Sequence, residues 1–337
     1  MAPRTVVELE NLPREEWLEA RRGGIGSSDV AGICGLSRHS SQFSVWLDKT
    51  GQAEEEPENR MMRMGRVLEE PVAMLFEDAT GLETEKPAFM YRHESIDHML
   101  ASPDRHVIDG SQATDANWVG ELECKTGRNE LIWADGPPLA AQLQLTHQMI
   151  VTGKKQGWIA VLLNGRDFDF WPMDLDPELA EALIKIEEEF WQLVVNRQEP
   201  PADGHLATKD ALAHLYREVR PGAEIDITPA LPDLRALTGI KAQIKDLERQ
   251  KVERENKVKQ LLGDAEVGLF EKVPYVTWKA SSIFDQERFE ADEPVLAADF
   301  RKTGTDLERL KEERPDLAKR FRKEHAGPRK FLPKKGI

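Results

Sequence analysis

Apolar residues along the first half of the chain switch repeatedly between the helical and the extended period. Val67, Leu68, Val72, Leu75 and Phe76 recur at three- and four-residue spacing and predict a helix over residues 65–80, closed by Gly81. Phe43, Trp46 and Leu47 predict a shorter helix ending at Gly51. Val30, Ile33 and Cys34 predict another, opened by Ser27 or Ser28 with Asp29 in its first turn. Residues 17–22 read as the end of an earlier helix. Short extended candidates follow at residues 89–92, 99–102 and 105–110, and from residue 118 the period is plainly two. Trp118, Gly120, Leu122 and Cys124 point one way; Val119, Glu121, Glu123 and Lys125 point the other. Residues 140–151 return to the helical period, and residues 157–163 with 167–171 read as a hairpin through Asn164-Gly165. Helices alternating with strands in this way predict an α/β domain.

After Pro200-Pro201 the texture changes, which sets a boundary between a first domain, residues 1–200, and a C-terminal part, 201–337. Leu237, Ile240, Ile244, Leu247, Val258 and Leu261 keep an alternating three–four spacing, interrupted by Lys251 and Arg254. That predicts one long amphipathic helix over residues 231–262, ended by Gly263 and fit either to pair with another helix or to pack on its own domain. Residues 266–281 alternate as a hairpin pivoting near Pro274, and polar helices with a tail come after it.

Composition narrows the classes. The chain has 337 residues, 40% hydrophobic and 32% charged, ample for a buried core in a soluble globular protein. Lys and Arg total 46 against 61 Asp and Glu, a net charge of -15, which argues against DNA binding through global charge. A locally basic groove is still compatible with it, because a phosphate contact depends on nearby charge. No stretch approaches the roughly 20 apolar residues of a membrane helix, and residues 1–12 carry no signal pattern. Cys34 and Cys124 stand far apart, which excludes a disulfide framework and a Cys-rich zinc site and suits a reducing cytoplasm. His93, His98 and His106 are not at metal spacing, and His147 reads as a packed helix residue or a DNA contact. Residues 316–337 hold Lys319, Arg320, Arg322, Lys323, Arg329, Lys330, Lys334 and Lys335 against Asp316 and Glu324, either a solvated tail or an arm for nucleic acid or a partner.

The strand Glu121-Leu122-Glu123-Cys124-Lys125 carries the strongest chemistry. Glu123 and Lys125 share a face about 7 Å apart. A carboxylate beside an ammonium is what a Mg²⁺-dependent phosphodiesterase needs: one holds metal, the other sits over the attacking water. Asp104 can supply a second carboxylate and the Cys124 backbone carbonyl a third oxygen, an adequate set for an ion that keeps several waters. Alone, the triplet reads as readily as an exposed strand face of alternating charge. Upstream, Arg21 and the small residues and hydroxyls from Gly23 to Asp29 stand at a helix N-terminus, suited to an anion.

The order of these pieces resembles a family. The strings RRGGIGSSD from Arg21, ICGLS from Ile33, WLDKTG from Trp46, GRVLEEP from Gly65, ASPD from Ala101, ELECKT from Glu121 and QLQLTHQM from Gln142, with VTG from Val151, resemble the YqaJ-type viral recombinase family. That is the lambda-exonuclease-like branch of the PD-(D/E)XK nuclease superfamily. The likeness spans roughly residues 17–171 and implies a mixed central sheet flanked by helices, with the long helix and hairpin appended. It implies catalytic roles for Glu69, Asp104, Glu123, Lys125 and Gln144, and Mg²⁺, with Mn²⁺ as a substitute, on Asp104, Glu123 and the Cys124 carbonyl. Arg21, Ser28 and Ser102 match a pocket for a terminal 5′ phosphate. Two positions depart from the family pattern: Arg105 stands where a glycine is usual, and Thr146 replaces a second glutamine.

The implied activity is a 5′→3′ exonuclease on double-stranded DNA ends in phage-type homologous recombination. The implied setting is a bacterial or prophage-encoded cytoplasmic protein, a homotrimer working beside a single-strand annealing protein, with no membrane association. An endonuclease or resolvase on the same core, and a non-catalytic DNA-end-binding scaffold using the long helix, are the competing readings.

Overall fold

The computed structural model describes residues 3–10, 12–54, 59–109 and 118–278; the basic tail and the polar helices expected before it lie outside them. The chain divides into two units between Arg217 and Glu218.

The first unit opens with β1 (Arg4–Glu8), α1 (Arg14–Arg22) and β2 (Ile25–Gly26). A 3₁₀ turn over Ser27–Asp29 leads into α2 (Val30–Ile33), and α3 (Gln42–Lys49) follows. Next comes α4 (Arg60–Thr80), which starts more than a turn before its apolar spacing suggests. Asn59 caps it there, accepting a hydrogen bond from the Met62 amide at 2.9 Å, and Gly81 ends it at φ 73° as expected. Then come β3 (Glu83–Glu85), β4 (Phe89–Arg92), β5 (Met99–Ala101), β6 (Arg105–Ile108) and β7 (Trp118–Gly127). Last are α5 (Leu139–Thr152), β8 (Gln156–Leu163), β9 (Asp167–Asp174), α6 (Pro177–Val195) and α7 (Leu206–Leu215).

The mixed central sheet has the order β3-β6-β7-β8-β9, with β7 and β8 parallel and the other neighbours antiparallel. Only glycine fits where β7 meets the start of β8, since a Cβ on Gly120 would fall 2.0 Å from the Gln156 carbonyl oxygen. One sheet face takes Val72, Ala73 and Phe76 of α4 against Val107, Leu122, Trp158 and Ala160. Phe76 meets the edges of Trp158 and Phe170 at 5.9 and 5.6 Å between centroids, and burying such a ring contributes about 1.5–3 kcal/mol. The other face takes Leu145 and Met149 of α5 against Ile159. A second sheet, β1-β4-β5-β2, lies in the same unit, and β5, α2 and α6 also pack on α5. Residues 145–152 of α5 are therefore buried without a break, and the helix has no solvent face there.

That burial decides the role of His147. Its Nδ1 lies 2.8 Å from Glu187 of α6 and its Nε2 2.8 Å from the Leu100 carbonyl of β5. Burial lowers the imidazole pKa, but Glu187 outweighs it and holds the ring above its ordinary value, so both nitrogens donate. His147 ties helix to sheet and does not face DNA.

The first unit runs past Pro200-Pro201 because α7 packs on α3. Thr208 donates to Ser41 at 2.8 Å and His214 to the Gln52 carbonyl at 3.0 Å. The second unit holds α8 (Leu231–Leu262), then β10 (Val267–Phe270) and β11 (Val273–Thr277). The hairpin pivots at Glu271-Lys272, whose φ values of 47° and 68° make the left-handed two-residue turn, and not at Pro274. Pro274 stands inside β11 opposite Leu269, where the register slips, because it has no N–H for the ladder.

Candidate active site

Strand β7 carries Glu123 and Lys125 on the face that α5 covers. Lys125 donates to Glu123 Oε1 at 2.5 Å and to Gln144 Oε1 at 2.8 Å, so the Glu-x-Lys pair and the helix glutamine of the sequence reading meet in one cluster. The two strand residues differ in access: the Lys125 side chain is 30% exposed while Glu123 is closed under α5 at 1%. Sharing a strand face therefore does not give the two residues equal access, and of the pair only Lys125 reaches solvent. Asp104, between β5 and β6, joins them by accepting a hydrogen bond from the Cys124 amide at 2.8 Å. Glu69 on α4 lies close enough for Arg105 and Glu123 to act on its carboxyl. Arg105 itself turns aside, donating to Glu70 and to the Asp104 carbonyl, each at 2.6 Å. It holds the loop without displacing the Asp104 carboxylate.

The cluster is short of positive charge. Burial pushes the Asp104 carboxyl well above the ordinary carboxylate range, and Glu123 and Glu69 add to it against the opposing Lys125. Glu69 is raised too, by burial first, with Glu123 adding and Arg105 opposing. For Lys125, burial lowers the pKa, but Glu123 and Asp104 outweigh it and keep the ammonium charged. Among the described residues no three His, Cys, Asp or Glu side chains form a metal-holding group. The donor set that remains is two carboxylates and a main-chain carbonyl. Register supports the third donor. Arg105 pairs with Leu122, so Pro103 falls opposite Cys124 and has no N–H to give its carbonyl. In an extended strand that carbonyl points to the same side as the amide that bonds Asp104. An oxygen set with uncompensated negative charge fits a hard divalent cation.

A second charged cluster stands beside β2. Arg21 donates to Ser28 Oγ and to Asp29 Oδ1, each at 2.6 Å, and lies 5.2 Å from the Trp17 ring centroid. The buried Lys49 meets the other Asp29 oxygen at 2.7 Å. Asp29 raises the Arg21 pKa against burial, while Arg21 and Lys49 outweigh burial and depress Asp29 below the usual range. Ser28 is exposed beside the guanidinium. Ser102 follows β5, and the parallel register of Gly26 with Leu100 carries Ser28 and Ser102 to the same end of the sheet. Among the described residues no hydrogen bond joins Ser102 to Arg21.

Sequence reasoning missed the residue that links the two clusters. Gln148, fully buried on α5, donates to Glu123 Oε2 at 2.6 Å and reaches Ser27 Oγ at 3.4 Å. It lies one turn after Gln144, the spacing that puts two side chains on one helix face, and that was the available signal. Its Oε1 is buried without a partner among the described residues. Lys49 and Asp29 were likewise given no role, although both stand in the matched strings.

A model of the YqaJ-like viral recombinase domain matches residues 16–155, the span that holds every predicted site residue. The uncharacterised protein YqaJ of Bacillus subtilis is 32% identical over 321 residues, covering 93% of this chain and 92% of that one. The chain belongs to the YqaJ family. Likenesses to solved structures are weaker. An alkaline exonuclease from Laribacter hongkongensis, LHK-Exo, is 21% identical over 55% of this chain and 94% of its own, with a TM-score of 0.46. A phage-related exonuclease from Haemophilus somnus 129PT is 12% identical over 52% of this chain and 96% of its own, with a TM-score of 0.37. Neither reaches beyond about half of this YqaJ-family chain, whereas the Bacillus relative extends well past its first unit.

Proposed function

We propose that this YqaJ-family chain is a metal-dependent deoxyribonuclease that digests double-stranded DNA from 5′ ends, with Mg²⁺ or Mn²⁺ on Asp104, Glu123 and the Cys124 carbonyl. The observation that carries it is Gln148, which joins Glu123 of the carboxylate cluster to Ser27, the neighbour of Ser28 in the turn that carries the anion pocket. A pocket holding a terminal phosphate beside a hydrolytic centre selects a chain end over an internal bond, which favours an exonuclease over an endonuclease or resolvase. It also disfavours a purely binding scaffold, which needs no ammonium held between Glu123 and Gln144.

In this reading Arg21 and Ser28 grip the 5′ phosphate, with Ser102 at the same sheet end, and set the next phosphodiester against β7. Lys125, aimed by Gln144, orients the attacking water and stabilises charge on the phosphorus oxygens. Glu69 completes the acidic wall. The bound cation supplies Lewis-acid charge and a more acidic water. Water's oxygen bonds to phosphorus and the P–O3′ bond breaks. The new end keeps its phosphate on the 5′ side, which is the group the pocket holds. Family likeness extends the proposal to a ring-shaped homotrimer acting with a single-strand annealing protein.

Linear duplexes with a 5′ phosphate or a 5′ hydroxyl, and a closed circle, tested with Mg²⁺ and with a chelator, check this reading. Digestion of the phosphorylated linear duplex fastest, none of the circle and none under chelation is the expected pattern. Cutting of the circle would replace the exonuclease with an endonuclease, and indifference to chelation would remove the metal.

A further inference from the structure

The long helix α8 belongs to the second unit and supplies none of the residues proposed for the nuclease site, and its burial is unusual. It runs 32 residues with no buried side chain. Ile240, Ile244, Leu247 and Leu261 are 51%, 50%, 62% and 89% exposed. A helix of that length is normally held by packing an apolar face, and this stripe has no cover among the described residues of its own unit. Leu237, Ile240, Ile244, Leu247, Lys251, Arg254, Val258 and Leu261 keep strict three–four alternation, the seam of a coiled coil with two cationic positions in it.

Those two positions choose the partner. A parallel, in-register second copy would set Lys251 against Lys251 and Arg254 against Arg254 inside the seam, with no opposite-charge pair at the flanking positions to offset it. An antiparallel copy behaves differently, because the seam reads the same from both ends. Setting Leu237 against the second copy's Leu261 brings Ile240 to Val258, Ile244 to Arg254 and Leu247 to Lys251. Each first-type seam position then meets a second-type one, as antiparallel packing requires. Each cation meets an aliphatic side chain and can lay its own stem along it. Lys251 already leans to Glu255 of its own helix, 3.7 Å away, which draws its charge out of the seam. At the flanks, Lys241 of each helix falls beside Glu255 of the other, two opposite-charge pairs against one Glu248–Glu248 pair at the axis.

We infer that α8 is a self-association element, pairing antiparallel with α8 of a second copy about an axis near Arg249. This is independent of the nuclease proposal and adds a contact distinct from any ring formed by the first unit.

Cysteine cross-linking of the full chain tests it. Ile240→Cys and Val258→Cys chains are purified singly, mixed, oxidised mildly and run without reductant. The mixture should give roughly tenfold more covalent dimer than either chain alone, since like positions lie ~27 Å apart in the antiparallel pair. Strong self-linking of Ile240→Cys alone would mean a parallel pair and overturn the inference. No dimer in any arm would mean that another part of the same chain or another protein covers the stripe, which also overturns it. Leu247→Asp gives a second readout, a fall in assembly mass by light scattering with DNA cleavage by each chain unchanged. An unchanged mass would sink the inference.

Discussion

The two charged clusters of the first unit are built from the same kinds of residue and differ in how far their charges are compensated. Around Asp29, two cations, Arg21 and Lys49, share one buried carboxylate that they hold ionised, and Asp48 stands as a second carboxylate 3.6 Å from Lys49. Around Lys125, Glu69, Asp104 and Glu123 crowd one ammonium, and Asp104 and Glu69 are pushed towards their neutral forms. The rises at Asp104 and Glu69, from burial first and then from Glu123, mark negative charge that a cation would relieve, whereas the rise at Arg21 comes from Asp29, with which an incoming anion would share the guanidinium. The net charge of -15 predicts neither arrangement, because each is set within a few ångströms.

The sharpest way to break the acidic half is to remove its reacting groups. Glu123→Gln and Lys125→Ala should each lower cleavage by roughly 10²–10³-fold or more, with the circular dichroism spectrum unchanged. Near wild-type rates under saturating Mg²⁺ would remove β7 from the chemistry. Next in size is the cation itself. Mg²⁺ without DNA should stabilise the protein by ~2.7 kcal/mol at about a hundred times its Kd, and an Asp104→Asn chain much less, as read by thermal melting. Equal gains in both would place the ion elsewhere.

The basic half is tested by Arg21→Ala, expected to slow digestion of 5′-phosphorylated ends about tenfold to a hundredfold and 5′-hydroxyl ends far less. Equal losses would assign Arg21 to the fold through Asp29. The last test reads stability and not cleavage, at Glu121, buried next to the site and bonded to Thr152. Burial pushes its carboxyl up to about 7, against opposing contributions from Thr152 and Lys154. Thr152 has one hydroxyl proton and two oxygen neighbours, Glu121 and the Gln148 carbonyl, so a neutral Glu121 satisfies both contacts. Below the ordinary carboxylate value of 4.5 folded and unfolded chains are both protonated there. Between 4.5 and about 7 only the unfolded chain ionises, so stability falls as pH rises through that window and levels off above it. Glu121→Gln should abolish that fall, seen as a melting temperature that gains on wild type between the two ends of the window. A parallel decline in both chains would show that Glu121 is ionised in the fold.

Local signals in the sequence were enough for α4, β7, α5, the Asn164-Gly165 hairpin and α8, because each is a long periodic run closed by a glycine or a tight turn. They missed β1, β3 and α7, where short or polar segments gain their structure from what they pack on, and also α6, whose signal was present in the Asp176-Pro177 start and the helical spacing of Ala180, Leu183, Phe190 and Val194. The same division holds at the site. Glu123 and Lys125 were legible as a pair because a strand puts residues two apart on one face, and Asp104, Glu69 and Gln144 came with the order of motifs.

What only the tertiary structure decided is which polar groups meet across the chain. Gln148 reaches Glu123 and Ser27, Lys49 reaches Asp29, and His147 joins Glu187 to Leu100, each over tens of residues. Periodicity in a sequence reports which face of an element is apolar. It carries no record of a polar side chain on a helix buried all round, because α5 is enclosed by elements that lie far from it in sequence.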